Sequence, residues 1–307
     1  MDEKIRFLRT GVAGAIGCCL LMLGGGCSRP APAEQTGLQL FVSVPPQKYI
    51  VEKIGGPRCS VTTLIPAGAS PHTFEPKPAQ MARLAQARLY FTVGVEMEAA
   101  WLPKIRSVNP GLPVVATDSG IVKRSMEDDA KGERHPDEDG HGNHRHEGAD
   151  PHIWLSPDLV KVQARIVAEA LERIDTAHAA EYRERCVRFE MEIDSLKARI
   201  AGRLERCGAP KSFLVFHPSW GYFADAFSLR QLAIEVEGKE PGLRRLGEIV
   251  SKARSEGVRT VLVQPQFSKK IADAVAAQLG GMTRVADPLA EDWAANLERV
   301  AGVLCGQ

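Results

Sequence analysis

Three histidines and one aspartate stand out in this chain for the residues beside them. His72 lies in Ala69-Ser70-Pro71-His72-Thr73-Phe74, His152 in Asp150-Pro151-His152-Ile153-Trp154, His217 in Val215-Phe216-His217-Pro218-Ser219-Trp220 and Asp287 in Val285-Ala286-Asp287-Pro288-Leu289. Each adjoins a proline, which stiffens the backbone and limits the entropy lost when a side chain is held in place. Three imidazoles and one carboxylate complete a tetrahedral zinc shell. Taken singly, each residue has a plain structural explanation, since a lone histidine is commonly hydrogen-bonded scaffold and Asp-Pro a turn or helix-start signal. Their recurrence in one kind of local setting, two in each half of the chain, favours a metal site. Four protein ligands leave no position for an activated water, so such a site binds rather than catalyses.

Of the five remaining histidines, His135, His141, His144 and His146 fall in a polar, charged, glycine-containing stretch, residues 123–149. It has too few apolar side chains to bury a core and is expected to be a disordered surface loop. Four imidazoles among eight carboxylates between Glu127 and Glu147 form a weak, multivalent ligand set for a borderline metal; the plainer alternative is a solvated insertion. His178, in a polar helical stretch, is expected to be simply exposed.

The elements that must position the four candidate ligands follow from hydrophobic patterning. Strand signals at 38–44, 60–65, 88–93 and 114–117 alternate with helix signals up to residue 54, at 78–87 and at 96–107. A second set has strands at 212–216, 231–236, 259–263 and 283–286 with helices at 243–256, 268–279 and 290–303. Alternation of this kind predicts an α/β fold of two similar parallel-sheet lobes. Ligands of open α/β sheets bind beyond the carboxyl ends of the strands, where His72, His217 and Asp287 fall; His152 immediately precedes a helix start at Ser156-Pro157-Asp158.

Between the lobes, Tyr182, Cys186, Phe189, Ile193, Leu196, Ile200, Leu204 and Cys207 recur at steps of four and three, one apolar stripe on a helix of about 39 Å. A coiled-coil dimer seam would have this pattern, but a helix laid along both lobes explains it within a monomer. The predicted organisation is a signal peptide at 1–26, a tether at 27–37, an N-terminal lobe at 38–178, a connecting helix at 179–208 and a C-terminal lobe at 209–307.

The 307 residues carry 39 Lys and Arg against 38 Asp and Glu, a formal charge of +1 that offers no global field for nucleic acid or an anionic membrane. Lys4, Arg6 and Arg9 precede an apolar run at 11–26, too short to cross a bilayer and typical of a secretory signal. It ends Gly24-Gly25-Gly26-Cys27, similar to the lipobox of bacterial lipoproteins, which would place Cys27 on a lipid and the protein outside the cytoplasm; cleavage with release is the alternative. Without residues 1–26 the chain has 36 groups of each sign, because Lys4, Arg6, Arg9, Asp2 and Glu3 leave together. Cys59, Cys186, Cys207 and Cys305 remain, with no zinc-ribbon spacing and three possible disulfide connectivities. Cys186 and Cys207 are excluded as partners if their helix is unbroken.

The ordered segments Pro66-Ala-Gly-Ala-Ser-Pro-His72-Thr-Phe-Glu-Pro-Lys-Pro78, Gly94-Val-Glu-Met-Glu98 with Trp101-Leu102, Asp150-Pro-His152-Ile-Trp-Leu-Ser-Pro157, Phe216-His217-Pro-Ser-Trp-Gly-Tyr-Phe223, Glu237-Gly-Lys-Glu-Pro241, Gln264-Pro-Gln-Phe-Ser268 and Asp287-Pro-Leu289 span both lobes. Together they resemble the bacterial substrate-binding proteins that deliver zinc or manganese to ABC importers, the ZnuA-like zinc-uptake group in particular. The resemblance implies two lobes joined by a rigid helix, metal held in the interlobe cleft by His72, His152, His217 and Asp287, and a membrane permease as partner. Zinc is favoured over manganese because manganese members tend to have a carboxylate at the position of His217, and zinc members often carry a His-rich acidic loop where residues 123–149 fall. Gln264 departs from the family, which often has Glu there.

Two other readings remain at this stage: a zinc hydrolase with Glu75 or Glu237 as general base, and a surface adhesin using metal only structurally. Free imidazole titrates near about 6.5, so protons would compete with metal at a three-histidine site.

Overall fold

A computed structural model describes residues 37–126, 148–235 and 239–306. Residues 1–36 with Cys27, the histidines His135, His141, His144 and His146, and Glu237 lie outside the described residues. The first lobe runs β1 (Leu38–Val42), α1 (Pro45–Gly55), β2 (Cys59–Thr63), α2 (Pro78–Leu84), β3 (Leu89–Thr92), α3 (Glu96–Val108) and β4 (Val114–Ala116). Its strands are parallel in the order β2-β1-β3-β4, with Leu40 beside both Val61 and Leu89. Helices α4 (Pro157–Ile174) and α5 (Ala179–Arg206) follow. The second lobe runs β5 (Ser212–Val215), α6 (Gly221–Ala226), β6 (Arg230–Ala233), α7 (Leu243–Ser255), β7 (Thr260–Val263), α8 (Lys269–Gln278), β8 (Met282–Val285) and α9 (Trp293–Leu304). Its strands are also parallel, in the equivalent order β6-β5-β7-β8.

Helix α5 is the predicted long helix, 28 residues or about 42 Å. Its stripe from Tyr182 to Leu204 is buried against α4, α1 and α9. Helices from both lobes cover that stripe, so it is an internal seam.

Side-chain alternation along the second sheet separates two cores. Leu214, Phe216, Leu232, Ile234, Val261 and Val263 point into a small core of the C-terminal lobe. Phe213, Val215, Ala233 and Leu262 point the other way, into one apolar cluster continuous with Leu40, Phe91, Trp154, Phe189 and Trp293. The lobes therefore share their main core rather than meeting at a polar hinge.

Cys207 and Cys305 form a disulfide that ties the end of α5 to the end of α9 across 98 residues, selecting one of the pairings the spacing left open. Cys59 and Cys186 are free, and burial pushes each thiol up to about 11. His178 differs from the expectation of plain exposure. It is half-buried, with Nδ1 2.9 Å from both Asp175 oxygens, and the Tyr182 hydroxyl donates to the same carboxylate, so it belongs to the joint between α4 and α5.

Candidate metal centre

His72 lies on a turn after β2, its backbone N–H on Ser70 Oγ at 3.3 Å. The residue is exposed, and its Nδ1 is 3.3 Å from Glu96 Oε2 in the first turn of α3. Two residues on, Glu98 turns inward. It accepts from Ser43 Oγ and from the backbone N–H of Val93 at 2.9 Å and Gly94 at 2.7 Å, which fastens α3 to the ends of β1 and β3. Gly94 adopts φ 84°, and a Cβ there would meet Lys123 Nζ and Asp118 Oδ2, so glycine is required. Burial raises the Glu98 carboxyl to about 7.

His152 follows Asp150-Pro151, and one Asp150 oxygen accepts from both its backbone N–H at 2.9 Å and its Nδ1 at 2.8 Å. The next residues form a 3₁₀ turn, Ile153–Leu155, that buries Trp154 before Ser156 caps α4 through Leu159 N–H. His217 lies just beyond β5. Gln264 braces its backbone, donating Nε2 to its carbonyl at 2.7 Å and accepting its N–H at 3.4 Å, and Phe267 stacks on its ring at 5.3 Å and 17°. Its Nδ1 is 3.1 Å from Glu235 Oε1. The ring of His217 stands 5.2 Å from that of His72 and 5.5 Å from that of His152.

Asp287 lies just beyond β8, its Oδ1 accepting from Leu289 N–H at 2.9 Å and Gln266 Nε2 at 3.4 Å. Its loop is pinned to that of His152: Trp154 Nε1 donates to Pro288 O at 2.7 Å, and Trp293 Nε1 to Trp154 O at 2.6 Å. The fold thus gathers the three predicted histidines, with Asp287 on the adjoining loop.

Each imidazole presents Nδ1 to a carboxylate: Glu96 for His72, Asp150 for His152, Glu235 for His217. For His152 and His217 this contact is a hydrogen bond, and an Nδ1 that donates to a carboxylate leaves Nε2 to offer its lone pair, the arrangement that outer carboxylates impose on metal-binding histidines. His217 Nε2 is buried and has no hydrogen-bond partner, a costly state unless a ligand takes it up. Among the described residues, no three His, Cys, Asp or Glu side chains are gathered as a ready coordination shell.

Residues 40–301 match the family model described as zinc-uptake complex component A, periplasmic. The chain belongs to this ZnuA family. A high-affinity zinc uptake system protein ZnuA of Brucella abortus is 28% identical over 301 residues, covering 87% of this chain and 88% of that one. A crystal structure of ZnuA superposes with TM-score 0.79 at 36% identity, covering 88% of this chain and 98% of its own. A zinc-bound ZnuA deletion mutant superposes with TM-score 0.77 at 37% identity, covering 88% and 97%. As a ZnuA-family member the chain is a metal-binding solute-binding protein of an ABC uptake system acting outside the cytoplasm, with a permease and a metal ion as expected partners, and not an enzyme. The hydrolase reading is set aside.

The carboxylates Glu96 and Glu235 escaped sequence reasoning, lying 24 and 18 residues from their histidines with no periodicity linking them. Asp150 had a local signal, an acceptor two residues before a histidine in Asp-Pro-His.

Proposed function

We propose that this protein captures Zn²⁺ through Nε2 of His72, His152 and His217 and the carboxylate of Asp287, and delivers it to an ABC permease. The observation that carries the reading is the buried, unpartnered Nε2 of His217 between two other imidazoles. Nitrogen donors favour zinc over manganese, which suits carboxylate, carbonyl and water oxygens. Since the lobes share a core, closure over the ion falls to the exposed His72 turn rather than to separation of the lobes, and small side-chain movements complete the shell. The His-rich segment, with His135, His141, His144 and His146, gathers metal weakly, and Cys27 carries a lipid that holds the protein at the membrane.

Metal analysis and competitive titration of the purified protein test the reading. One tight equivalent of zinc, lost in His217→Ala, is the expected result. A His217→Ala variant that keeps that equivalent would overturn the ligand assignment, and a clear preference for Mn²⁺ would overturn the choice of metal. Acylation that persists in Cys27→Ala would overturn the assignment of the lipid to Cys27.

A further inference from the structure

The segment before the His-rich insertion returns to the segment after it as a short antiparallel pair. Ser125 bridges Ala149, Met126 N–H donates to Gly148 O at 2.9 Å, and Asp150 N–H to Arg124 O at 2.8 Å. A single side chain of the C-terminal lobe bonds to both strands of this neck. The Tyr222 hydroxyl donates to Asp150 O at 2.9 Å and accepts from Arg124 N–H at 3.0 Å. Arg124 answers from the other side, its guanidinium 5.7 Å from the Tyr222 ring and its Nε 3.1 Å from Asp225 Oδ2. Gly221 makes room for it, because a Cβ at that position would fall 1.6 Å from Arg124 Nη1. Burial raises the Tyr222 phenol far above its ordinary value, with the Asp150 charge adding to the effect, so the hydroxyl remains a donor.

These contacts link two candidate ligands from opposite lobes. Asp150 holds the His152 ring by Nδ1, and Tyr222 lies five residues beyond His217 on the helix that continues its loop. We propose that Tyr222, Arg124 and Asp150 form a clamp across the lobes that sets the His152 ring against the His217 ring, making Tyr222 and Asp150 positioning residues for metal capture. The clamp rests on the ligand assignment proposed above. It deepens that assignment by placing part of the site's affinity in residues that never touch the ion. It also separates the neck, residues 124–126 and 148–150, from the insertion it carries: the neck belongs to the site.

The test uses the whole exported chain with zinc chloride and a chromophoric competitor. Tyr222→Phe removes one oxygen from an otherwise unchanged ring and should keep one zinc equivalent while weakening affinity by about 10-fold, within the range for loss of an outer partner. Gly221→Ala, which displaces the Arg124 guanidinium, should weaken binding in the same direction. Asp150→Asn should weaken it about 10- to 100-fold and, in nitrogen-detected imidazole spectra of the metal-free protein, move the hydrogen of His152 off Nδ1, a change that a scaffold role would not produce. Wild-type zinc affinity in Tyr222→Phe, in a preparation where His217→Ala has lost the tight equivalent, would overturn the clamp and leave the ligand assignment standing. Retention of that equivalent by His217→Ala would overturn the assignment, and the clamp with it.

Discussion

His152 and His217 are each 5% exposed and each is held by a buried carboxylate, whereas His72 rides on a surface turn and its carboxylate, Glu96, is 72% exposed. The first two sit in a wall built from both lobes, where the Trp154–Pro288 and Trp293–Trp154 hydrogen bonds cross the boundary. The third meets its carboxylate at the foot of α3 in a contact that solvent screens. The difference teaches how a binding protein divides its work. On the ligand assignment proposed above, ordering costs on the wall side are met during folding, so coordination there would lose little entropy, and the exposed arm would be the part that admits and releases the ion.

Removing the wall should have the largest effect. His217→Ala or His152→Ala is expected to weaken zinc binding more than about 100-fold, beyond the range for loss of an outer partner, by competitive titration; a modest loss in either would erase the distinction between wall and arm. The link between the ends of α5 and α9 can be challenged next. Opening the Cys207–Cys305 link by paired serine substitutions releases a loop of 98 residues and should cost about 4 kcal/mol in denaturant unfolding, with one zinc equivalent retained.

The arm rests on α3, and there Glu98 makes stability depend on pH. Its carboxyl is raised to about 7 from about 4.3 in an unfolded chain, so the folded state binds the proton more tightly. The contribution is fully present below about pH 4.3 and is lost as pH rises through about 7, roughly 4 kcal/mol in all. Unfolding of the metal-free protein at pH 5 and pH 8 should show this fall, and Glu98→Gln should flatten it; parallel slopes in the two proteins would refute the assignment.

A smaller effect is expected from His72→Ala, about 10- to 100-fold in affinity, because the wall persists without it; complete loss of binding would make the arm as essential as the wall. The smallest concerns the insertion. Deleting residues 128–146, cut inside the neck, should remove weak extra zinc equivalents and leave the tight one unchanged, whereas a deletion from 124 to 148 that removes the clamp should weaken the tight site as well.

Local patterning made most of the architecture legible. The four-three spacing of Tyr182, Cys186 and Phe189 reports directly on one buried face, because the helix period is a property of the backbone, whereas Leu40, Phe41 and Val42 are buried on both faces of their strand. Boundaries moved by a few residues where packing intervened: the last helix begins at Trp293 rather than 290, after Asp292 caps it through Ala295 N–H. The candidate ligands were legible for a similar reason, since each stands at a strand end or turn beside a proline. Their carboxylate partners were not, apart from Asp150, because Glu96 and Glu235 meet their histidines only after separate strands and helices have packed.

The sequence by itself determined two parallel-sheet lobes, a long helix with one apolar face and three proline-flanked histidines with an aspartate, since these depend on backbone periods and local stiffness. Only the tertiary structure decided that the lobes share one core, that Cys207 pairs with Cys305, that His217 keeps a buried nitrogen without a partner and that Tyr222 reaches across to the neck beside His152. Those facts depend on which distant side chains exclude water together, and the burial and hydrogen-bond balance of the folded whole determines that rather than any local spacing.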